Sequence, residues 1–183
     1  MKNLSIARRY AKALLLIGQE DGNAQLYREE LDGVTREIAA QGELQRTINN
    51  PLYNPEGRRG LLMAVIQKLD PSKVMQQFLL LLFDKGRFGF LVDVNDFYQK
   101  LADDLQGIAR ASLVSATELP SEAVDKIREA LAKRTGKDII LNVQQNPDLI
   151  GGIVTQIGDL VLDGSIKTQL VNMRESLKRG ESV

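Results

Sequence analysis

The sequence predicts a two-domain α+β protein, in which an N-terminal six-helix bundle is followed by a small α+β domain with a β-hairpin and a C-terminal helix. Over residues 1–106, segments of helical length with apolar residues at helical spacing alternate with short Gly, Asn, Asp or Pro breaks. After Gln106-Gly107, segments rich in small and β-branched residues appear, and a hairpin signal follows them. The predicted domains are therefore residues 1–106 and 107–183.

Six helices are predicted in the N-terminal part, each bounded by residues that start or stop helices. Ser5 is a candidate cap for the first helix, and Asp21-Gly22-Asn23 separates it from the second. Asn54-Pro55 and Asp70-Pro71 begin the fourth and fifth helices, because proline suits the first helical turn. The predicted spans are approximately residues 5–18, 24–40, 43–48, 54–69, 70–85 and 88–106.

The C-terminal part mixes predicted strands and helices. Its strands are predicted at residues 109–117 and 138–143, where β-branched residues are frequent. Pro120-Ser121 opens a helix that extends to about Arg134, and a last helix covers residues 166 to about 179, with Ser165 as its cap.

Residues 148–165, DLIGGIVTQIGDLVLDGS, contain paired glycines before an apolar run, which raises the question of a phosphate-binding loop. A Walker loop needs a lysine after the glycines, and a dinucleotide fingerprint needs glycines between a strand and a helix. Neither pattern is present. Gly158-Asp159 between two apolar runs instead predicts a two-residue hairpin turn. Pairing across this turn places Ile153, Thr155, Ile157, Leu160 and Leu162 on one face.

Composition excludes several classes of function. Lys plus Arg and Asp plus Glu both total 24, so the formal net charge is +0, which argues against nucleic acid as the main partner. With no Cys and no His, disulfides, Cys/His zinc sites and histidine-dependent nucleophilic catalysis are excluded. The longest apolar run, Phe78–Phe83, is far shorter than the ~20 residues of a membrane helix. We expect no cofactor and no catalytic or metal site.

Three stretches carry a family resemblance. IARRYAKALL near the N-terminus, FLLLLFDKGRFGFLVDVNDFY with its KGR turn, and NPDLIGGIVTQIGDLVLDGSIKTQL near the C-terminus occur in this order. Together they resemble the delta subunit family of F-type ATP synthases, which includes the mitochondrial oligomycin-sensitivity-conferring protein. The resemblance implies a non-catalytic stator subunit that links the alpha/beta catalytic head to the b subunits of the peripheral stalk, so that ion-driven rotation is coupled to ATP synthesis.

The resemblance also implies where the partners bind. It assigns the N-terminal segments of alpha subunits to a groove between the first and fifth helices, with Tyr10 as the principal residue. Both helices have apolar arcs wider than one core face requires. For each residue taken alone, a place in the core of the bundle is favoured, and the resemblance adds the alternative of contact with a partner helix. The candidate residues in this groove are Tyr10, Ala13, Leu14, Ile17, Phe78 and Leu82.

The last helix has an apolar stripe at 4, 3, 4 spacing, formed by Ile166, Leu170, Met173 and Leu177. Two interpretations remain open, a helix packed on the hairpin, which the sequence favours slightly, and a seam for the C-terminal ends of the stalk b subunits. The resemblance further implies a peripheral position at the cytoplasmic face of a bacterial inner membrane.

Two alternative functions are a small enzyme using carboxylates or lysine, which the absence of His disfavours, and a helical-bundle adaptor or RNA-binding regulator. A salt-dependent interaction with RNA would favour the latter.

Overall fold

The computed structural model describes residues 4–158 and 160–180, which form an α+β fold of eight α-helices, two short 3-10 helices and one four-stranded sheet. The chain divides into two compact units, Met1–Ala102 and Asp103–Val183, called here the N-terminal unit and the C-terminal unit. Six of the helices precede the first strand: α1 (Leu4–Glu20), α2 (Ala24–Ala40), α3 (Gly42–Asn49), α4 (Pro55–Leu69), α5 (Lys73–Asp84) and α6 (Leu91–Leu105), with a 3-10 helix at Phe88–Phe90 between the last two.

The predicted helices are all present, but three predictions about helix starts are wrong, and α1 ends at Glu20 instead of near Gly18. Ser5 lies inside α1, which begins at Leu4, so Ser5 is not its cap. Helix α5 begins at Lys73 instead of at Asp70-Pro71, and Ser72 caps it through a hydroxyl that accepts a hydrogen bond from the Met75 amide. The expected start of the sixth helix at Phe88 is a 3-10 turn. Asn54 caps α4 through the Glu56 amide, with Pro55 in the first turn as predicted.

A single cluster of buried apolar side chains holds the N-terminal unit together. Ala7, Ala11 and Leu14 of α1 reach it, and Tyr98 of α6 donates from its buried hydroxyl to the Ala24 carbonyl at 2.8 Å. Gly18 lets α1 approach α2 closely, because a Cβ atom there would stand 2.8 Å from the Ala24 Cα. The cluster comprises Ala7, Ala11, Leu14, Leu15, Tyr27, Leu31, Val34, Ile38, Ile48, Leu62, Val65, Ile66, Met75, Phe78, Leu79, Leu82, Phe88, Leu91, Val94, Tyr98 and Ala102.

The C-terminal unit is built on the sheet, whose strand order is β2-β1-β3-β4. Strand β1 pairs in parallel with β2 and antiparallel with β3, and the β3–β4 hairpin has the predicted register, with Ile157 opposite Leu160 and Thr155 opposite Leu162. Its turn residue Asp159 lies outside the described residues. The elements are β1 (Ile108–Ser115), α7 (Ser121–Thr135), β2 (Asp138–Gln145), a 3-10 helix (Pro147–Leu149), β3 (Ile153–Ile157), β4 (Leu160–Asp163) and α8 (Ile166–Gly180).

Candidate partner-binding surfaces

Helix α1 presents apolar side chains on two sides. Ala7, Ala11 and Leu14 are fully buried in the core. On another side, half-buried Tyr10 is followed by exposed Ala13 and by Ile17, whose side chain is 43% exposed. Residues at these spacings of three and four lie next to each other along one face of a helix. Some of the apolar residues of α1 therefore lie at the surface and not in the core.

Helix α5 continues this apolar surface. The rings of Phe78 and Tyr10 pack edge to face, with centroids 6.2 Å apart and planes at 66°, an arrangement that aromatic pairs favour. Leu81, one turn after Phe78, is 45% exposed. The exposed or half-buried residues Tyr10, Ala13, Ile17 and Leu81, with buried Phe78 at their base, are together called the α1–α5 surface below.

Three of the residues predicted for the groove are buried members of the core cluster: Phe78, 8% exposed at the base of this surface, and Leu14 and Leu82 beneath it. Leu14 and Leu82 are both 0% exposed and belong to the core cluster. They support the helices that carry the surface residues, and they are not available for direct contact in this structure. Leu81 was missed because nearly every position of α5 is apolar, so spacing alone does not separate its inner side from its outer side.

Both ends of α5 are fixed, which sets the position of Phe78 and Leu81. At its start, the Glu30 carboxylate accepts two hydrogen bonds of 2.7 Å from Ser72, one from the amide and one from the hydroxyl. At its end, the Arg87 amide donates to the Leu82 carbonyl at 2.8 Å and Gly86 has φ +65, a helix-ending pattern that favours glycine. This is the local reason for the KGR turn.

The same turn brings Arg87 onto Tyr10. The guanidinium carbon lies 5.5 Å from the centroid of the tyrosine ring, and Nη1 donates a hydrogen bond of 2.7 Å to the hydroxyl. A cation close to a tyrosine ring is attracted by its π system, and the hydrogen bond fixes the direction of the hydroxyl. Tyr10 is therefore held by Phe78 and by Arg87.

Helix α8 carries the second predicted surface. Ile166, Leu170, Met173 and Leu177 are 42%, 52%, 64% and 71% exposed. The interpretation that the sequence favours slightly, a stripe buried against the hairpin, is therefore wrong. From Gln169 to Lys178 every residue is exposed. These four residues, called the α8 stripe below, form an open apolar seam of about three turns.

The first turn of α8 is nevertheless firmly attached. The Asp163 carboxylate accepts hydrogen bonds of 2.8 Å from the Ser165 amide and from the Thr168 hydroxyl. These hydrogen bonds, that from the Ser165 amide first, hold the pKa of Asp163 below its usual value. Buried Ser165 accepts from the Thr168 amide at 3.2 Å and caps the helix as predicted.

The paired glycines before β3 complete this attachment. A Cβ at Gly152, which has φ +81, would stand 2.3 Å from the Gly164 carbonyl oxygen. The Gly151 carbonyl accepts from the Ile166 amide at 3.0 Å. The GG and DGS segments thus join the start of β3 to the start of α8. Ile150, just before them, has φ +65 and is 67% exposed, an unfavourable conformation for a β-branched residue.

The described residues were also searched for a catalytic pocket, a metal-binding cluster and a membrane-spanning helix. A pocket in the N-terminal unit is lined by Thr35, Ile38, Gln45, Asn49, Phe88, Gly89, Leu91 and Val92, none of which is ionisable. Among residues 4–158 and 160–180, no three acidic side chains gather in a way that could hold a metal ion. In the same ranges, no helix has the length and apolarity to cross a membrane.

Comparison with known proteins identifies the family. The model of the ATP synthase delta (OSCP) subunit family matches residues 6–177. ATP synthase subunit delta of Desulforapulum autotrophicum is 59% identical, and that of Desulfatibacillum aliphaticivorans is 57% identical, each alignment covering 100% of both chains. A chain of the Toxoplasma gondii mitochondrial ATP synthase hexamer has the same fold, with a TM-score of 0.70 and 18% identity over 93% of this chain and 96% of that one. The chain therefore belongs to the ATP synthase delta (OSCP) subunit family of non-catalytic stator subunits.

Proposed function

We propose that this stator subunit joins two helical partners, binding N-terminal segments of alpha subunits of the catalytic head on the α1–α5 surface and the C-terminal ends of the stalk b subunits on the α8 stripe. Holding the head against the stalk lets rotation driven by the coupling ion act on the catalytic sites. The observation that carries the proposal is the presence of two separate, exposed apolar stripes on helices, one in each unit, in a chain of this family.

The α1–α5 surface suits an amphipathic helix. Such a helix lays its apolar face into a groove and places side chains at i, i+3, i+4 and i+7. Ala13 leaves space between Tyr10 and Ile17, and Leu81 adds exposed apolar area on α5, whose Phe78 is buried against Tyr10. The core below, with Leu14 and Leu82 fully buried, supports the surface before any partner arrives.

The α8 stripe suits a helix packed along it, since its 4, 3, 4 spacing is that of a coiled-coil seam. Its four residues are the most exposed run of large apolar side chains in α8. A stripe left open in an isolated chain marks an interaction surface. In the assembled enzyme the subunit would lie peripherally, at the cytoplasmic face of a bacterial inner membrane.

The test of the head contact is calorimetric titration with a synthetic peptide of the first twenty or so residues of the alpha subunit from the same organism. We expect Ile17→Asp to weaken binding at least tenfold, because it places a charge in the apolar surface. Leu16→Asp is the matched control: Leu16 is 49% exposed but lies about 100° away around α1, so binding should persist.

The stalk contact is tested in the same way, with a soluble fragment of the b subunit that contains its C-terminal helices. Leu170→Asp should abolish binding, whereas Val171→Asp, at a position 49% exposed on another side of α8, should not. Equal losses in both variants would argue against a seam on this side of the helix, and wild-type protein that binds neither fragment would contradict the proposed function.

A further inference from the structure

The two edges of the α8 stripe differ in charge. The 4, 3, 4 spacing assigns the residues of the stripe to the d and a positions of a seven-residue heptad, so the positions that flank it are e and g. Both e positions are basic, Lys167 and Arg174, and both g positions are uncharged, Gln169 and Ser176. All four side chains are exposed. The stripe therefore has one cationic edge, called the e edge below, and one neutral edge.

The charges of the e edge are not used within the described part of the chain, where no ion pair involves Lys167 or Arg174. The carboxylate of Asp163, four residues before Lys167, accepts instead from the Ser165 amide and the Thr168 hydroxyl. Lys167 also lies in the first turn of α8, where the helix dipole favours acidic residues, so its charge does not stabilise the helix. Two cations one heptad apart, beside an open apolar seam, suit a partner.

A second copy of this chain is a poor match for the e edge. In an antiparallel pair of helices, e positions face e positions, which would place Lys167 and Arg174 against the same cations of the other copy. In a parallel pair they would face the g positions, Gln169 and Ser176, which carry no charge. Charges at e and g positions set the choice of partner, and like charges across a seam disfavour a pair. The e edge therefore favours a different, acidic helix over self-association.

We infer that Lys167 and Arg174 determine which helix binds the α8 stripe, and that this helix carries carboxylates along one flank of its own apolar stripe. The carboxylates are one heptad apart, as the two cations are, and they face the e edge. The Arg174 guanidinium can bind a carboxylate through two parallel hydrogen bonds, whereas the Lys167 ammonium acts as a point charge. This inference rests on the proposed function, in which the occupant is the C-terminal end of a stalk b subunit.

The experiment is calorimetric titration of the full-length chain with the b-subunit fragment at an ionic strength of about 0.15 M, where charges more than about 8 Å apart are largely screened. Lys167→Gln combined with Arg174→Gln removes the two charges of the e edge. Gln169→Glu combined with Ser176→Glu is the matched control, because it changes the formal net charge of +0 by the same two units on the other edge of the helix. We expect the e-edge variant to bind about fivefold more weakly than wild type, and the control to change affinity less than about twofold.

A charge swap tests the pairing directly. In the b-subunit fragment, each Asp or Glu beside the apolar stripe is replaced by Lys, one at a time. We expect one replacement to weaken binding to wild type about tenfold, and Arg174→Glu or Lys167→Glu to recover part of the affinity. Circular dichroism of each variant confirms that the helix content is kept.

Two outcomes would overturn the inference and leave the proposed function intact, provided that Leu170→Asp still abolishes binding. One is an equal change of affinity in the e-edge variant and in its control. The other is a charge swap in which no replacement in the fragment is recovered by Arg174→Glu or Lys167→Glu. Wild-type protein that does not bind the fragment would overturn both the inference and the proposed stalk contact.

Discussion

The two units of this chain differ in how many of their apolar side chains are buried. The N-terminal unit buries them in one continuous cluster and exposes a patch on top of it, whereas the described part of the C-terminal unit has a buried cluster of only Ala111, Leu131 and Ile139 and leaves α8 open. The α1–α5 surface is therefore carried by a core that exists before binding. The α8 stripe is carried by a helix in which every residue from Gln169 to Lys178 is exposed in the isolated chain. A preformed surface loses little entropy on binding, and an open helix gains stability from it.

The largest test of this comparison is truncation of a core leucine in each unit. Leu31→Ala, at a position 0% exposed in the large cluster, should lower the free energy of unfolding by about 3–4 kcal/mol. Leu131→Ala, at a position 6% exposed in the small cluster, should cost about 2 kcal/mol, because the site has fewer neighbours and can collapse more easily. Urea unfolding followed by circular dichroism measures both. A larger decrease in the free energy of unfolding for Leu131→Ala than for Leu31→Ala would show that the small cluster contributes more to stability than the large one.

A second test concerns the attachment of α8. Gly152→Ala combines a left-handed backbone with a Cβ placed 2.3 Å from a carbonyl oxygen, so we expect a loss of about 2–3 kcal/mol and faster amide exchange at Ile166. Gly136→Ala is the control: it has φ +67 but open space around it, so it should cost only about 1 kcal/mol from strain. Hydrogen exchange observed by NMR separates the two variants. Equal effects would mean that conformation alone, and not close packing, explains the paired glycines.

Sequence reasoning succeeded where a local rule acts alone. Asn54-Pro55 starts a helix by side-chain capping, and Gly158 allows the tight turn that sets the register of Ile157 and Leu160. These features involve residues close in the chain, and their physical causes depend little on the rest of the fold. The same holds for Ser165, which caps α8.

The sequence could not distinguish buried from exposed positions where the same apolar pattern has two possible physical causes. The 4, 3, 4 spacing in α8 is produced equally by a helix on a core and by a helix awaiting a partner, and only the exposure of Leu170 and Met173 distinguishes them. Leu81 and Leu82 are adjacent and equally apolar, yet the first is 45% exposed and the second is buried. The contact of Arg87 with Tyr10 joins residues 77 positions apart, which no local rule connects.

Alkaline pH offers a third test, because all four tyrosines of the chain lie in the N-terminal unit. Tyr27 donates to the Asp21 carboxylate, and this hydrogen bond, together with burial, raises the pKa of Tyr27 to about 12. Burial raises the pKa of Tyr98 to about 12 as well. The folded state thus favours neutral phenols. The corresponding stability is complete below pH 10, the ordinary value, and is lost as pH rises through about 12.

The expected result is a selective loss of amide protection in the N-terminal unit between pH 10 and about 12, with little change in the C-terminal unit. Tyr27→Phe should make the loss of amide protection between these pH values smaller. The same substitution removes the hydrogen bond to Asp21 that is present at neutral pH. Tyr53→Phe, which removes the hydroxyl of a side chain 54% exposed, is the matched control and should leave the loss of protection unchanged. Simultaneous loss of protection in both units would show that stability is shared between them, and the comparison of two independent cores would fail.

The smallest expected effect concerns the α8 stripe itself. Replacing Leu170 or Leu177 by Gln removes apolar area that already faces water, at positions 52% and 71% exposed, so the free energy of unfolding should change by less than about 0.5 kcal/mol. The same substitutions should weaken binding of the b-subunit fragment strongly, because there the area is buried. Thermal unfolding alone and with the fragment measures both quantities. A loss of stability as large as that of Leu131→Ala would mean that α8 packs on its own unit in solution, and the stripe would then be a core face instead of a seam. If stability is kept and binding is lost, the C-terminal unit has left its apolar surface unburied for a partner, which is the opposite of what the N-terminal unit does with Leu14 and Leu82.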